Sequence, residues 1–149
     1  MILKSILFGK CQKIIDRRLR VISQVIEDIS NNLHSETKSS AGDKHETGRA
    51  MLQIEQEKAG EQLAKIQKIN QLLSRIDSSD TSKFIKLGSI VFTTRGNYYI
   101  LISAGELQID DQFFYAISAN TPIAKLLLGK TEGDIIKFKE KEFLISKVI

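Results

Sequence analysis

Cysteine occurs once in the 149 residues, at Cys11, which excludes an internal disulfide framework and suits a reducing compartment. No apolar run approaches the roughly 20 residues that a membrane-spanning helix needs. The opening Met1-Ile2-Leu3-Lys4-Ser5-Ile6-Leu7-Phe8 is short and lacks a small-residue cleavage site behind it, so no signal peptide is expected. The expected setting is the cytoplasm, with no membrane partner. A large excess of one charge is also missing. Residues 1–80 carry 13 basic and 11 acidic side chains, residues 81–149 carry 9 and 7, and the net charge is +4. That balance is too mild to announce nucleic-acid binding. Internal repeats, low-complexity segments, phosphate-binding glycine loops, nucleophile elbows and zinc spacings are absent too. Most enzyme classes lose their sequence warrant with them. A hydrophobic fraction of 42% with 27% charged residues is that of an ordinary globular chain of one or two small domains.

What is present is a long helical pattern broken once. Ile15, Leu19, Ile22, Ile26, Ile29 and Leu33 recur at steps of 4, 3, 4, 3 and 4. Leu52, Ala59, Ile66, Ile69, Leu73 and Ile76 continue the same kind of seam after the break. Such spacing marks helices packed as a coiled coil. The break is Ser39-Ser40-Ala41-Gly42-Asp43-Lys44-His45-Glu46-Thr47, and Gly42 stands where one helix must stop. An antiparallel helical hairpin is therefore expected over residues 1–77, with helices near Leu3–Ser39 and Asp43–Arg75 and an acidic tip. A two-helix hairpin buries little by itself, so its base should lean on something else.

The run Asp77-Ser78-Ser79-Asp80-Thr81-Ser82 reads as a linker, set at residues 78–84. After it the period becomes strand-like. Ser89–Thr94 and Tyr98–Ser103 flank an Arg95-Gly96-Asn97 turn, and Glu106–Ile109 and Phe113–Ile117 flank Asp110-Asp111. Asn120 or Thr121 caps a short helix, with Pro122 suiting its first turn and Gly129 its end. Thr131-Glu132-Gly133-Asp134 turns the chain into a last hairpin, Ile135–Lys139 with Glu142–Val148. The expected fold class is α+β: an N-terminal coiled-coil hairpin, then a sheet domain over residues 85–149 with five or six strands and one short helix.

Few residues suggest chemistry. Cys11 falls on the apolar seam and reads as a structural thiol. His34 and His45 flank the tip with Glu36, Asp43 and Glu46, but their spacing matches no zinc signature. Lys4, Lys10, Lys13, Arg17, Arg18 and Arg20 stand against a single Asp16. They form either a solvated helix face or a surface for a polyanion or an acidic partner. Asp43 and Glu46 also have two readings. Asp-x-x-Glu at a helix start is a capping box, in which each side chain accepts from the other residue's amide. Two exposed carboxylates are equally oxygen ligands for Mg²⁺, though too few to hold it without a partner's ligands.

The order of hairpin, Gly42-Asp43-Lys44-His45-Glu46 tip, linker and small β-rich domain resembles the Gre-type bacterial transcript-cleavage factors, GreA and GreB. The more specific match is Ile117-Ser118-Ala119-Asn120-Thr121-Pro122-Ile123-Ala124-Lys125-Leu126-Leu127-Leu128-Gly129-Lys130, followed by Glu132-Gly133-Asp134. It is similar to the family signature Ser-x-Asn/Asp-Ser-Pro-(Ile/Leu/Met)-Ala-x-Ala-Leu-(Ile/Leu)-Gly-Lys-x-x-Gly-Asp. The resemblance covers essentially the whole chain. It implies an FKBP-like second domain and a transcription elongation factor whose coiled coil enters the secondary channel of RNA polymerase. It further implies a monomer that is no enzyme by itself, with no cofactor when free. Within the polymerase complex, Asp43 and Glu46 would serve as catalytic ligands of Mg²⁺. Contact with the nascent RNA and the DNA would be indirect, and Asn120, Thr121 and Pro122 would meet the polymerase.

The family usually continues Asn-Ala-Glu-Tyr after the tip glutamate, whereas this chain has Thr47-Gly48-Arg49-Ala50. A channel-binding relative that inhibits or regulates without cleavage is the alternative within the family. A coiled-coil adaptor unrelated to polymerase is the alternative outside it. A prolyl isomerase is raised by the implied FKBP-like fold alone, and fold does not carry function.

Overall fold

The computed structural model describes residues 2–38 and 43–149, and their side chains except those of 36–38 and 43–45. The expected turn at Gly42 lies outside the described residues. Helix α1 spans Ile2–Lys38 and helix α2 spans Asp43–Ser74. Both seams are where the spacing puts them: Ile15, Ile22, Ile29, Ala59 and Leu73 are buried, and Leu19, Ile26, Leu33, Leu52, Ile66, Ile69 and Ile76 are half-buried.

The described chain divides into two compact units, Ile15–Leu72 and a second made of Met1–Ile14 with Leu73–Ile149. In the first unit the helices run antiparallel. Val21 and Val25 lie beside Gln62 and Ile66, while Asn32 and Ser35 lie beside Gly48, Met51 and Leu52. Ile22, Ile29 and Ala59 form its buried core, with Ile26, Leu33, Leu52, Leu63 and Ile66 packed on them.

The second unit does not begin at the linker. Its first fourteen residues belong to α1, so this division differs from expected bounds of 1–77, 78–84 and 85–149. The physical reason is burial. Lys4, Leu7 and Cys11 continue the α1 seam at steps of 3 and 4, and all three are buried. Cys11 lies near the Tyr99 phenol, and burial pushes that phenol's pKa well up. Lys10 and Ile14 line one cleft with Glu106, Leu107 and Gln108. The lean expected of the hairpin base is thus made by the first turns of α1.

The sheet has six strands: β1 Ile90–Thr93, β2 Gly96–Leu101, β3 Gly105–Ile109, β4 Gln112–Ser118, β5 Ile135–Phe138 and β6 Lys141–Val148. Helix α3, Pro122–Leu127, sits between β4 and β5 in the chain. The three expected hairpins are all present as antiparallel pairs. Two further pairings close the order β3-β4-β2-β1-β6-β5: β1 with β6 antiparallel, and β2 with β4 parallel, Tyr98 opposite Tyr115. On one face Ile85, Val91, Ile100, Ala124, Leu127, Ile136, Phe143 and Ile145 form a continuous core beneath α3. Residues of opposite parity, Ile90, Tyr99, Leu101, Phe114 and Ala116, are buried as well, so the central strands are covered on both faces.

The β5–β6 turn carries a local conflict. Phe138 pairs with Lys141, so Lys139 and Glu140 alone make the turn, at φ of 52° and 64°. Both backbones occupy the left-handed region that Asn and Gly accept most readily. Replacing Lys139-Glu140 by Asn-Gly is expected to raise stability by about 1 kcal/mol, or about 4–8 °C in Tm, in a thermal melt.

Candidate functional site

The tip residues come from the start of α2. Asp43 is its first residue and Glu46 stands one turn further on, with an exposed side chain. Asp43 and Glu46 thus stand three positions apart in the first turn of α2. The side chains of Glu36, Asp43 and His45 lie outside the described residues, whereas His34 is exposed on α1. Among the described residues, no group of three or more His, Cys, Asp and Glu side chains converges. The donor set at the tip fits Mg²⁺ in kind, being hard oxygen, and falls short in number. Cys11 is a buried thiol, as a structural cysteine would be.

The second candidate region is the start of α3. Thr121 is the N-cap, with extended backbone at φ −70° and ψ 150°, and its Oγ1 accepts from the Ala124 amide at 3.4 Å. The same hydroxyl donates to the Ser118 carbonyl at 2.9 Å, which ties the cap to the end of β4. Pro122 occupies the first turn, where its missing N–H costs no hydrogen bond. Behind the helix, Gly129 at φ 82° turns the chain, and its N–H donates to Ile85 at 2.8 Å. Ala124 and Leu127 anchor α3 in the core, leaving Asn120, Pro122, Lys125 and Leu126 exposed.

Thr121 and Asn120 therefore differ in role. Thr121 closes the helix, while Asn120 makes no hydrogen bond with the described residues. Thr121→Ala is expected to lower stability by about 1 kcal/mol in chemical denaturation. Asn120→Ala should change it by less than about 0.5 kcal/mol. Any binding lost on changing Asn120 then reports a contact with a partner.

A third group was not legible as a site. Lys4, counted above with a basic surface, is only 3% exposed, and its Nζ donates to the Asp80 carbonyl at 2.6 Å. Burial pushes its pKa below the usual lysine range, the charge of Asp80 opposes that, and Lys86 adds to the lowering. Lys86 bonds the Asp80 carboxylate and holds it below the usual carboxylate range. Asp77 accepts from the hydroxyl of Ser79 at 2.6 Å and from its amide at 2.9 Å, and its pKa is lowered by both. The polar run read as a linker is thus pinned by its own hydrogen bonds. The only hint in the sequence was the place of Lys4 on the Leu7–Cys11 seam. Among the described residues, no helix is long and apolar enough to cross a membrane.

No family model and no curated protein matches the chain. Among solved structures, GreA factor homolog 1 (Gfh1) of Thermus thermophilus is similar at 19% identity, over 92% of this chain and 93% of that one, with a TM-score of 0.38. A second structure of the transcription factor Gfh1 is similar at 19% identity over 91% of each chain, with a TM-score of 0.36. Both are structures of a Gre-factor homologue, and that is what this chain is similar to along nine-tenths of its length.

Proposed function

We propose that this chain is an RNA polymerase accessory factor that stimulates cleavage of backtracked transcripts through the secondary channel. The observation that carries the reading is the segment Ile117–Lys130 with Glu132-Gly133-Asp134, which resembles the Gre signature at every specified position but Thr121, where the family has Ser, and Leu126, where it has Ala. That segment forms a strand end, a capped helix and a turn, with Asn120 and Pro122 left exposed for a partner. The antiparallel hairpin of Ile15–Leu72, with acids at the start of α2, has the form needed to reach into a channel.

The chain would be no enzyme by itself. Two carboxylates in water bind Mg²⁺ weakly, so with Asp43 and Glu46 alone the free protein should show neither a tight metal site nor nuclease activity. Beside the polymerase's own acids, the two carboxylates would complete an oxygen ligand set in a site of low dielectric. Mg²⁺ bound there supplies charge stabilisation for the attacking and leaving oxygens of phosphodiester hydrolysis. Asn120, Thr121 and Pro122 would meet the rim of the channel and set how deep the tip reaches.

The test is to add the protein to a stalled, backtracked elongation complex and follow RNA length with and without Mg²⁺. Shortened RNA that requires both supports the proposal, and absence of polymerase binding overturns it. One observation favours a second reading. Thr47-Gly48-Arg49-Ala50 replaces the family's acidic and aromatic positions, and Gly48 weakens the first turns of α2 by about 1 kcal/mol relative to Ala. Binding with slowed transcription and no cleavage would identify a channel-bound inhibitor or regulator.

A further inference from the structure

The Lys4 network borders a cavity of about 270 Å³ within the unit of Met1–Ile14 and Leu73–Ile149. Its walls are Lys4, Arg75, Ile76, Asp77, Asp80, Lys86, Leu87 and Gly88. Three cations and two carboxylates share that lining, and their partners are unequal. Asp77 is engaged by Ser79, and the Asp80 carboxylate by Lys86. Lys4 donates one of its three N–H groups to a neutral carbonyl, so its buried charge has no carboxylate in direct contact. Arg75 is exposed at the rim and pairs with no described residue.

A buried ammonium beside an open cavity, with an unpaired guanidinium at its mouth, favours an anion. The three cations of the lining outnumber its two carboxylates, and both carboxylates are already engaged by Ser79 and Lys86. The guanidinium fork and the two ammonium groups suit a tetrahedral oxyanion, which accepts several charge-assisted hydrogen bonds at once. The volume lies just under the roughly 300 Å³ where pockets for larger organic ligands begin, which limits what accompanies the anion. We propose that this cavity is a binding site for phosphate, as the free ion or as the phosphoryl group of a small phosphomonoester. This inference is independent of the function proposed above, because none of its residues belongs to the tip or to the start of α3.

The test is a titration of the full chain, labelled with nitrogen-15, with inorganic phosphate against chloride at constant ionic strength. The expected result is a saturable shift of the Lys4, Ile76 and Gly88 amide signals. Arg75→Gln should weaken binding about tenfold, the loss of one charge-assisted contact, while its thermal transition stays that of the parent. Lys125→Gln, which removes an exposed lysine of α3, should leave the affinity unchanged. Glycerol 3-phosphate as a second probe separates the sources: tighter binding than phosphate assigns a phosphomonoester, and equal binding assigns the free ion. Shifts that stay linear to about 20 mM, that spread over every surface lysine, or that persist unchanged in Arg75→Gln would overturn the proposal.

Discussion

Asp43→Asn is expected to reduce transcript cleavage in a backtracked elongation complex by about 100- to 1000-fold, with polymerase binding nearly unchanged. The size follows from what the carboxylate does in the proposed mechanism. An oxygen ligand to a transition-state cation in a site of low dielectric contributes several kcal/mol, and about 1.4 kcal/mol is a factor of ten in rate. Binding is spared because most of the contact surface lies elsewhere on the hairpin and at the start of α3. Glu46→Gln should behave alike, since Glu46 is exposed one turn along the same helix. The choice of Asn separates this role from a capping box. Asn caps a helix about as well as Asp but is a poor Mg²⁺ ligand, whereas Asp43→Ala loses both functions and about 1 kcal/mol of helix stability. Full cleavage by Asp43→Asn would leave the tip with a structural role only.

The largest stability effect is expected at Phe114. Its ring is fully buried in β4 and meets the Phe92 ring edge-on, with centroids 5.8 Å apart at 82°. β4 also lies between β2 and β3, so a void there weakens two ladders at once. Phe114→Ala should cost about 3–5 kcal/mol, combining lost burial with an unfilled cavity. In a unit of about 90 residues that corresponds to a fall of about 12 °C or more in Tm. Tyr115→Ala on the neighbouring position is the comparison, because Tyr115 is exposed and its loss should cost far less. Equal destabilisation by the two changes would show that β4 is not packed as described.

Local spacing along the chain determined both helices and all three hairpins. The 3-4 seam places Ile15, Ile22, Ile29, Ala59 and Leu73 inward, and each is buried. Thr94-Arg95, Asp110-Asp111 and Lys139-Glu140 each connect two strands that are neighbours in sequence as well as in space. The cap at Thr121 and the turn at Gly129 were legible for the same reason, since helix punctuation acts over three or four residues. The chemistry proposed for Asp43 and Glu46 was legible only as a resemblance, because a capping box and a cation-binding pair share one spacing.

Tertiary structure alone decided what joins distant segments. The parallel β2–β4 pairing and the β1–β6 ladder bring together residues 17 to 57 positions apart, and no local pattern specifies such a partner. The first turns of α1 pack with the sheet unit because Leu7 and Cys11 need a cover that only the folded chain supplies. Lys4 shows the limit most plainly. As a letter it is one basic residue among several, and burial beside the Asp80 carbonyl, 76 positions away, makes it part of a cavity wall. Desolvation is a property of the surrounding atoms, and those are assembled only when the chain has folded.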